Sequence, residues 1–211
     1  MEEKKYYLKF ILIILVIIPV LSFTQTNNIA RIEQVGQNNF ATQTQSGSNL
    51  AEILQKNVYT NTAQQEQTGN SNLAAIMQNT TLQNSTAIQE QTGSSNRAKI
   101  IQESGMDNYA EQYQSGSNNS GRSEMLYYEG LSHAPVEYGA FLKQTGNSSY
   151  ALQEQYGNHN YNYILQNGND QHAVVTQKGN QLNHVLIQER NGARYKITQS
   201  SATPTIIIHQ K

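Results

Sequence analysis

Residues 85–102 read Ser-Thr-Ala-Ile-Gln-Glu-Gln-Thr-Gly-Ser-Ser-Asn-Arg-Ala-Lys-Ile-Ile-Gln, and the alternation inside this stretch decides the fold. Ala87, Gln89 and Gln91 stand two apart, and so do Ala98, Ile100 and Gln102. Alternate residues of a β-strand share one face, so one strand turns Ala, Gln, Gln inward and the next turns Ala, Ile, Gln inward. Gly93 to Asn96 between them is turn chemistry. An eleven-residue spacing also fits three turns of helix, but a Gly, Ser and Asn cluster at that interval would break one.

The same spacing runs along the chain. Its anchors are Gln34, Gln45, Gln55, Gln67, Gln78, Gln91, Gln102, Gln114, Gln144, Gln155, Gln166, Gln177, Gln188, Gln199 and Gln210. Alanine stands four residues before the anchor in eleven of these fifteen units. Six before it, Asn recurs at Asn28, Asn39, Asn49, Asn61, Asn72, Asn96, Asn108 and Asn160, and glycine stands two after it nine times. Two before the anchor the residues are Ile32, Gln43, Ile53, Gln65, Ile76, Gln89, Ile100, Gln112, Leu142, Gln153 and Ile164, aliphatic and Gln in strict alternation. The repeat is therefore a pair of unlike strands. A short sustained period means stacked units that cannot bury a face alone: an all-β solenoid of two-stranded rungs, seven full rungs and a starting half-rung, standing about 35 Å tall. Stacking sets Gln on Gln and Asn on Asn, and both sets are expected to form amide ladders.

Composition agrees. The chain of 211 residues has 26 Gln and 24 Asn against four Phe and no Trp, so it cannot fill a large oily core. Formal net charge is -1, which gives no footprint for nucleic acid. With no cysteine there is neither a disulfide framework nor a thiol site. Lys4, Lys5 and Lys9 precede an apolar run from Phe10 to Phe23. Residues 1–24 read as a signal peptide cleaved before Gln25; a membrane anchor is the competing reading, and the run is short of the roughly 20 residues a span needs.

Two departures divide the remaining 25–211. The spacing between Gln114 and Gln144 is thirty, and 118–139 holds Arg122, Tyr127, Tyr128, Pro135 and Tyr138 without a clean repeat. This reads as a rung with an inserted loop, or as a degenerate extra rung. In 177–211 the alanine site becomes His184, Tyr195 and Ile206, the alternating site stays aliphatic, and basic residues outnumber acidic ones. Arg190, Arg194, Lys196, Ile206, Ile207, Ile208 and Lys211 are candidates for nucleation or anchoring. Leu54, Met77, Ile101, Leu165 and Ile187, with Phe141, Tyr163, Val185 and Ile207, form an outward apolar ridge expected to mark a contact surface.

The unit resembles the curlin repeat: Ser85, Gln91, Gly93, Asn96, Ala98 and Gln102 match its pattern in register, with Ser95 at its second glycine. Partial matches include Gln67, Gly69, Asn72, Ala74 and Gln78, and also Ser149, Gln155, Gly157, Asn160 and Gln166. The resemblance implies a secreted subunit of extracellular amyloid fibres of the curli type, found in the biofilm matrix and in adhesion. It implies as partners other copies, another curlin subunit and outer-membrane secretion and assembly proteins. The family has a major fibre subunit and a minor one that nucleates it, and the basic tail tilts this chain toward the minor type.

Other functions fit the residues less well. Hydrolysis of a polysaccharide needs paired carboxylates or a metal site, whereas Glu66, Glu90 and Glu154 stand singly at one outward site. His159, His172, His184 and His209 lack metal-ligand spacing, and no cofactor motif appears. The reading is thus not an enzyme. Ice binding would need continued threonine pairs, and Thr42 with Thr44 makes only one. A monomeric solenoid adhesin remains as a further alternative to a major curlin subunit.

Overall fold

In a computed structural model, residues 28–79, 82–119, 123–124, 136–137, 140–200 and 205–211 are described. The expected signal peptide lies outside them, as does most of the irregular segment. The strands are β1 (Ile29–Gln37), β2 (Phe40–Tyr59), β3 (Thr62–Asn79), β4 (Thr86–Ser94), β5 (Arg97–Ser104), β6 (Tyr109–Ser117), β7 (Ser123–Glu124) and β8 (Val136–Glu137). They continue with β9 (Ala140–Thr145), β10 (Tyr150–Tyr156), β11 (Tyr161–Asn167), β12 (His172–Lys178), β13 (Asn183–Gln188), β14 (Arg194–Gln199) and β15 (Ile206–Gln210).

The class is an all-β parallel solenoid. One wall, the glutamine sheet, stacks the first parts of β2 and β3, then β4, β6, β10, β12 and β14. The other, the aliphatic sheet, stacks β1, the later parts of β2 and β3, then β5, β9, β11, β13 and β15. Every pair in both walls is parallel, and the register puts like on like: Ala87 on Ala110, Gln89 on Gln112, Gln91 on Gln114. Across the other wall Ala98 meets Ala140, Ile100 meets Leu142 and Gln102 meets Gln144. A one-residue slip would turn the whole inward set to solvent, and that penalty fixes the register.

Between the walls the core is thin. Ile53, Ile76, Ile100, Leu142, Ile164 and Leu186 meet the alanines Ala63, Ala87, Ala110, Ala151 and Ala173, all fully buried. Small alanines let the two backbones approach, so one aliphatic side chain per rung is enough to fill the gap.

The arcs depend on conformations that most residues avoid. Gly93 has φ of 116°, and a Cβ there would collide with the Gly116 carbonyl oxygen of the next rung. Gly47, Gly69, Gly116 and Gly157 repeat the arrangement, each under the next glycine's carbonyl. Ser95, at the site of the curlin pattern's second glycine, holds a left-handed φ of 57° without being glycine. Polar residues such as Ser71, Asn118 and Asp170 do the same in other rungs; short polar side chains tolerate this region by bonding locally.

Two expectations are refined. Short strands separated by turns hold from β4 onward, but β2 and β3 each run as one strand through their arc, paired at Ser46 on Thr68, Gly47 on Gly69 and Ser48 on Asn70, with a register shift between Ser48 and Leu50. The segment set apart as 118–139 begins two residues later, because Asn118 and Asn119 still bond to Ser94 and Asn96 of the rung before. It adds no rung between the strands on either side, since β5 pairs directly with β9 and β6 with β10. Within it β7 and β8 make a small antiparallel ladder.

Candidate functional site: amide ladders and open ends

Every anchor glutamine stands in one of two ladders. On the aliphatic wall the side-chain amide Nε2 donates to the next Oε1 in the order Gln34, Gln55, Gln78, Gln102, Gln144, Gln166, Gln188, Gln210, at 2.6–3.0 Å. On the glutamine wall the order is Gln45, Gln67, Gln91, Gln114, Gln155, Gln177, Gln199, at 2.7–3.1 Å. A third ladder at the alternating site links Gln43, Gln65, Gln89, Gln112 and Gln153. The strict alternation in the sequence marks these positions, and the structure makes them a ladder in their own right. Donation always runs toward the C-terminal end. In several rungs the spare N–H goes to a main-chain carbonyl, as from Gln65 to the Glu52 carbonyl and from Gln112 to the Lys99 carbonyl.

The asparagines stack differently from expectation. Their bonds are chiefly side chain to main chain. Asn72 accepts from the Asn96 N–H at 3.0 Å and donates to the Gly93 carbonyl at 3.0 Å, and Asn96 repeats this with Asn119 and Gly116. An asparagine side chain is short, so it reaches the next backbone before it reaches the next amide. This column runs Asn28, Asn49, Asn72, Asn96, Asn119, Asn160 and ends on the Leu182 N–H. In the opposite arc Asn39, Asn61 and Asn108 alternate with Ser85 and Ser149. Asn119 was missed because the inserted loop displaces it from its anchor. A further set three residues past the anchors, Asn147, Asn158, Asn169, Asn180 and Asn191, accepts instead from backbone N–H groups of the preceding rung. Its regular offset was the available signal.

The outer surfaces differ from the expected ridge. Leu54, Ile101 and Phe141 are buried, at 5%, 7% and 4% exposure, with Leu73, Met77 and Tyr163 packed on the last two. Of the ridge residues Ile207, at 67%, is widely open. On the glutamine wall Tyr109, Tyr150 and His172 stack face to face down three rungs. Glu66 and Glu90 stand in one column, where burial and then Glu66 and Glu111 raise the Glu90 carboxyl above its usual range.

The two ends are chemically unlike. At the first rungs charges are compensated: Arg31 pairs with Glu33 at 2.8 Å and with Glu52 at 3.0 Å, and Lys56 pairs with Glu33 at 3.3 Å. At the last rung Arg190, Arg194, Lys196 and Lys211 are exposed. Among the described residues the ion pair there is His209 with Glu189, at 2.9 Å. Ile206 and Ile208 face inward and are half-buried, with no further rung over them among the described residues. Comparison with protein-family models, curated proteins and solved structures gives no match.

In the last rungs the alanine column carries polar bulk. His184 is fully buried over Asn162, its Nε2 3.2 Å from the Tyr195 hydroxyl, and its Nδ1 has no partner. Burial lowers its pKa from 6.5 to about 4. The folded state thus excludes a proton that the unfolded chain accepts, so stability is complete above pH 6.5 and declines as pH falls toward 4. The loss at the acid end is expected to reach about 3 kcal/mol. Urea titrations across that range read it, and His184→Ala should flatten the slope; an equally steep slope in that variant would refute the assignment.

Proposed function

We propose that the chain is a secreted structural subunit of extracellular curli-like amyloid fibres, acting in the biofilm matrix and adhesion as the minor, nucleating type. The observation that supports this best is the polarity of the ladders. Among the described residues both walls end in unpaired strand edges, and such an edge templates another strand. Glutamine columns that all donate in one direction order an incoming rung with the same polarity, so growth is β-strand addition. The basic, aliphatic last rung, with Arg194, Lys196, Ile206 and Ile208, favours nucleation or anchoring over the role of a repeated fibre subunit. Other curlin subunits and the outer-membrane assembly proteins are its proposed partners, and its activity is structural, not enzymatic.

Substoichiometric full chain added to a monomeric major curlin should abolish the lag before fibres appear. Fibre diffraction should then show the strand spacing of about 4.8 Å. An unchanged lag, with the chain remaining monomeric, would instead favour a surface adhesin.

A further inference from the structure

Two tyrosine pairs join the same two strands. Parallel register sets Tyr150 directly on Tyr109, with ring centroids 5.2 Å apart and planes 5° from parallel. Further along the same strands Tyr113 and Tyr156 meet at 5.3 Å, their rings tilted by 45°. All four lie on the outer face of the glutamine wall and are half-buried, so part of each ring stays open to solvent. Because β6 and β10 flank the inserted segment, these contacts bring together residues that the segment separates in sequence.

Each pair has a carboxylate at hand. The Tyr109 hydroxyl donates to Glu111 Oε2 at 2.8 Å, and the Tyr156 hydroxyl donates to Glu154 Oε1 at 3.3 Å. Burial, and after it the bond to Glu111, push the Tyr109 pKa up to about 12, so this phenol keeps its proton at neutral pH. Such a phenol gives up an electron most readily when its proton passes to a positioned base in the same step.

We propose that the tyrosines of β6 and β10 form an oxidative cross-linking site, at which hydrogen peroxide used by a haem peroxidase joins Tyr109 to Tyr150 and Tyr113 to Tyr156 by carbon–carbon bonds. Each phenol yields one electron to the oxidant and one proton to solvent, by way of Glu111 from Tyr109 and of Glu154 from Tyr156. The paired ring radicals join through carbons ortho to their hydroxyls, and the hydrogens on those carbons move to the phenolic oxygens as both rings regain aromaticity. One peroxide takes up the two electrons and two protons lost per bond and leaves as two waters. In a chain without cysteine these bonds take the part of disulfides, closing the chain into loops around the inserted segment. The inference is independent of the fibre reading, since one solenoid holds both partners of each pair.

The folded full chain, treated at low concentration with hydrogen peroxide and a haem peroxidase, should gain dityrosine fluorescence and run faster on a denaturing gel, as a closed loop does. Mass spectrometry after proteolysis should find β6 peptides bonded to β10 peptides, two hydrogens lighter than their sum. Glu111→Gln should slow the Tyr109–Tyr150 bond by about tenfold and leave the Tyr113–Tyr156 bond unchanged; equal rates in that variant overturn the part given to Glu111. Tyr109→Phe with Tyr113→Phe keeps the rings and removes the phenols, so this double variant should lose both bonds. Tyr59→Phe, which alters a tyrosine 46% exposed, should keep them. Coupling that concentrates on Tyr59 and joins separate chains would show that exposure and not the fold selects the site. That result overturns the proposal, as does a folded natural chain that yields no bond between β6 and β10.

Discussion

Replacing Gln102 by leucine is expected to destabilise the middle of the solenoid by about 3 kcal/mol or more. Gln102 accepts from Gln78 at 2.8 Å and donates to Gln144 at 2.9 Å and to the Thr86 carbonyl at 3.1 Å. Leucine leaves the Gln144 Oε1 and the Thr86 carbonyl without this donor in a site closed to water. Stacked rungs unfold locally, so hydrogen exchange read rung by rung is the suitable measurement. Protection should fall most in β4, β5 and β9. Gln210→Leu, at the open end, should cost less than about 1 kcal/mol, because water can replace what is lost. Equal losses at the two positions would show that the ladder contributes little beyond burial. The chain itself contains a permitted interruption: where Gln153 gives way to Val175, the Gln153 amide turns to the Phe141 and Asn162 carbonyls at 2.8 and 3.3 Å.

Gly93→Ala is expected to cost about 3 kcal/mol or more, from strain and collision together. The left-handed φ of 116° strains any L side chain, and the Gly116 carbonyl occupies the space a methyl group would need. Backbone of two rungs would have to separate. Gly192 supplies the control, since its φ of 70° opens on space free of neighbours. Gly192→Ala should cost only about 1 kcal/mol, the left-handed penalty by itself. Chemical unfolding of both variants separates strain from collision, and similar costs would place the whole effect in φ.

The inward set was readable because its period of two survives in the sequence unaltered: Ala98, Ile100 and Gln102 predict their burial by spacing alone. Asn119 was not readable, since the inserted loop lies between it and Gln144 and the column it completes exists only after folding. The asparagine contacts were misjudged for a different reason. Spacing places Asn72 over Asn96, but only side-chain length decides whether the partner is an amide or a backbone N–H. The outward ridge shows the same limit, for alternation says which way Leu54 and Phe141 point and nothing of what packs against them.

By itself, then, the sequence determined the solenoid, its two unlike walls and the residues of its glutamine columns, because local alternation and like-on-like stacking leave one register. Only the tertiary structure decided the direction in which the amides donate and the burial of His184. Hydrogen-bond polarity and shielding from water belong to the whole stack, where each side chain's partners come from rungs some twenty residues away or more.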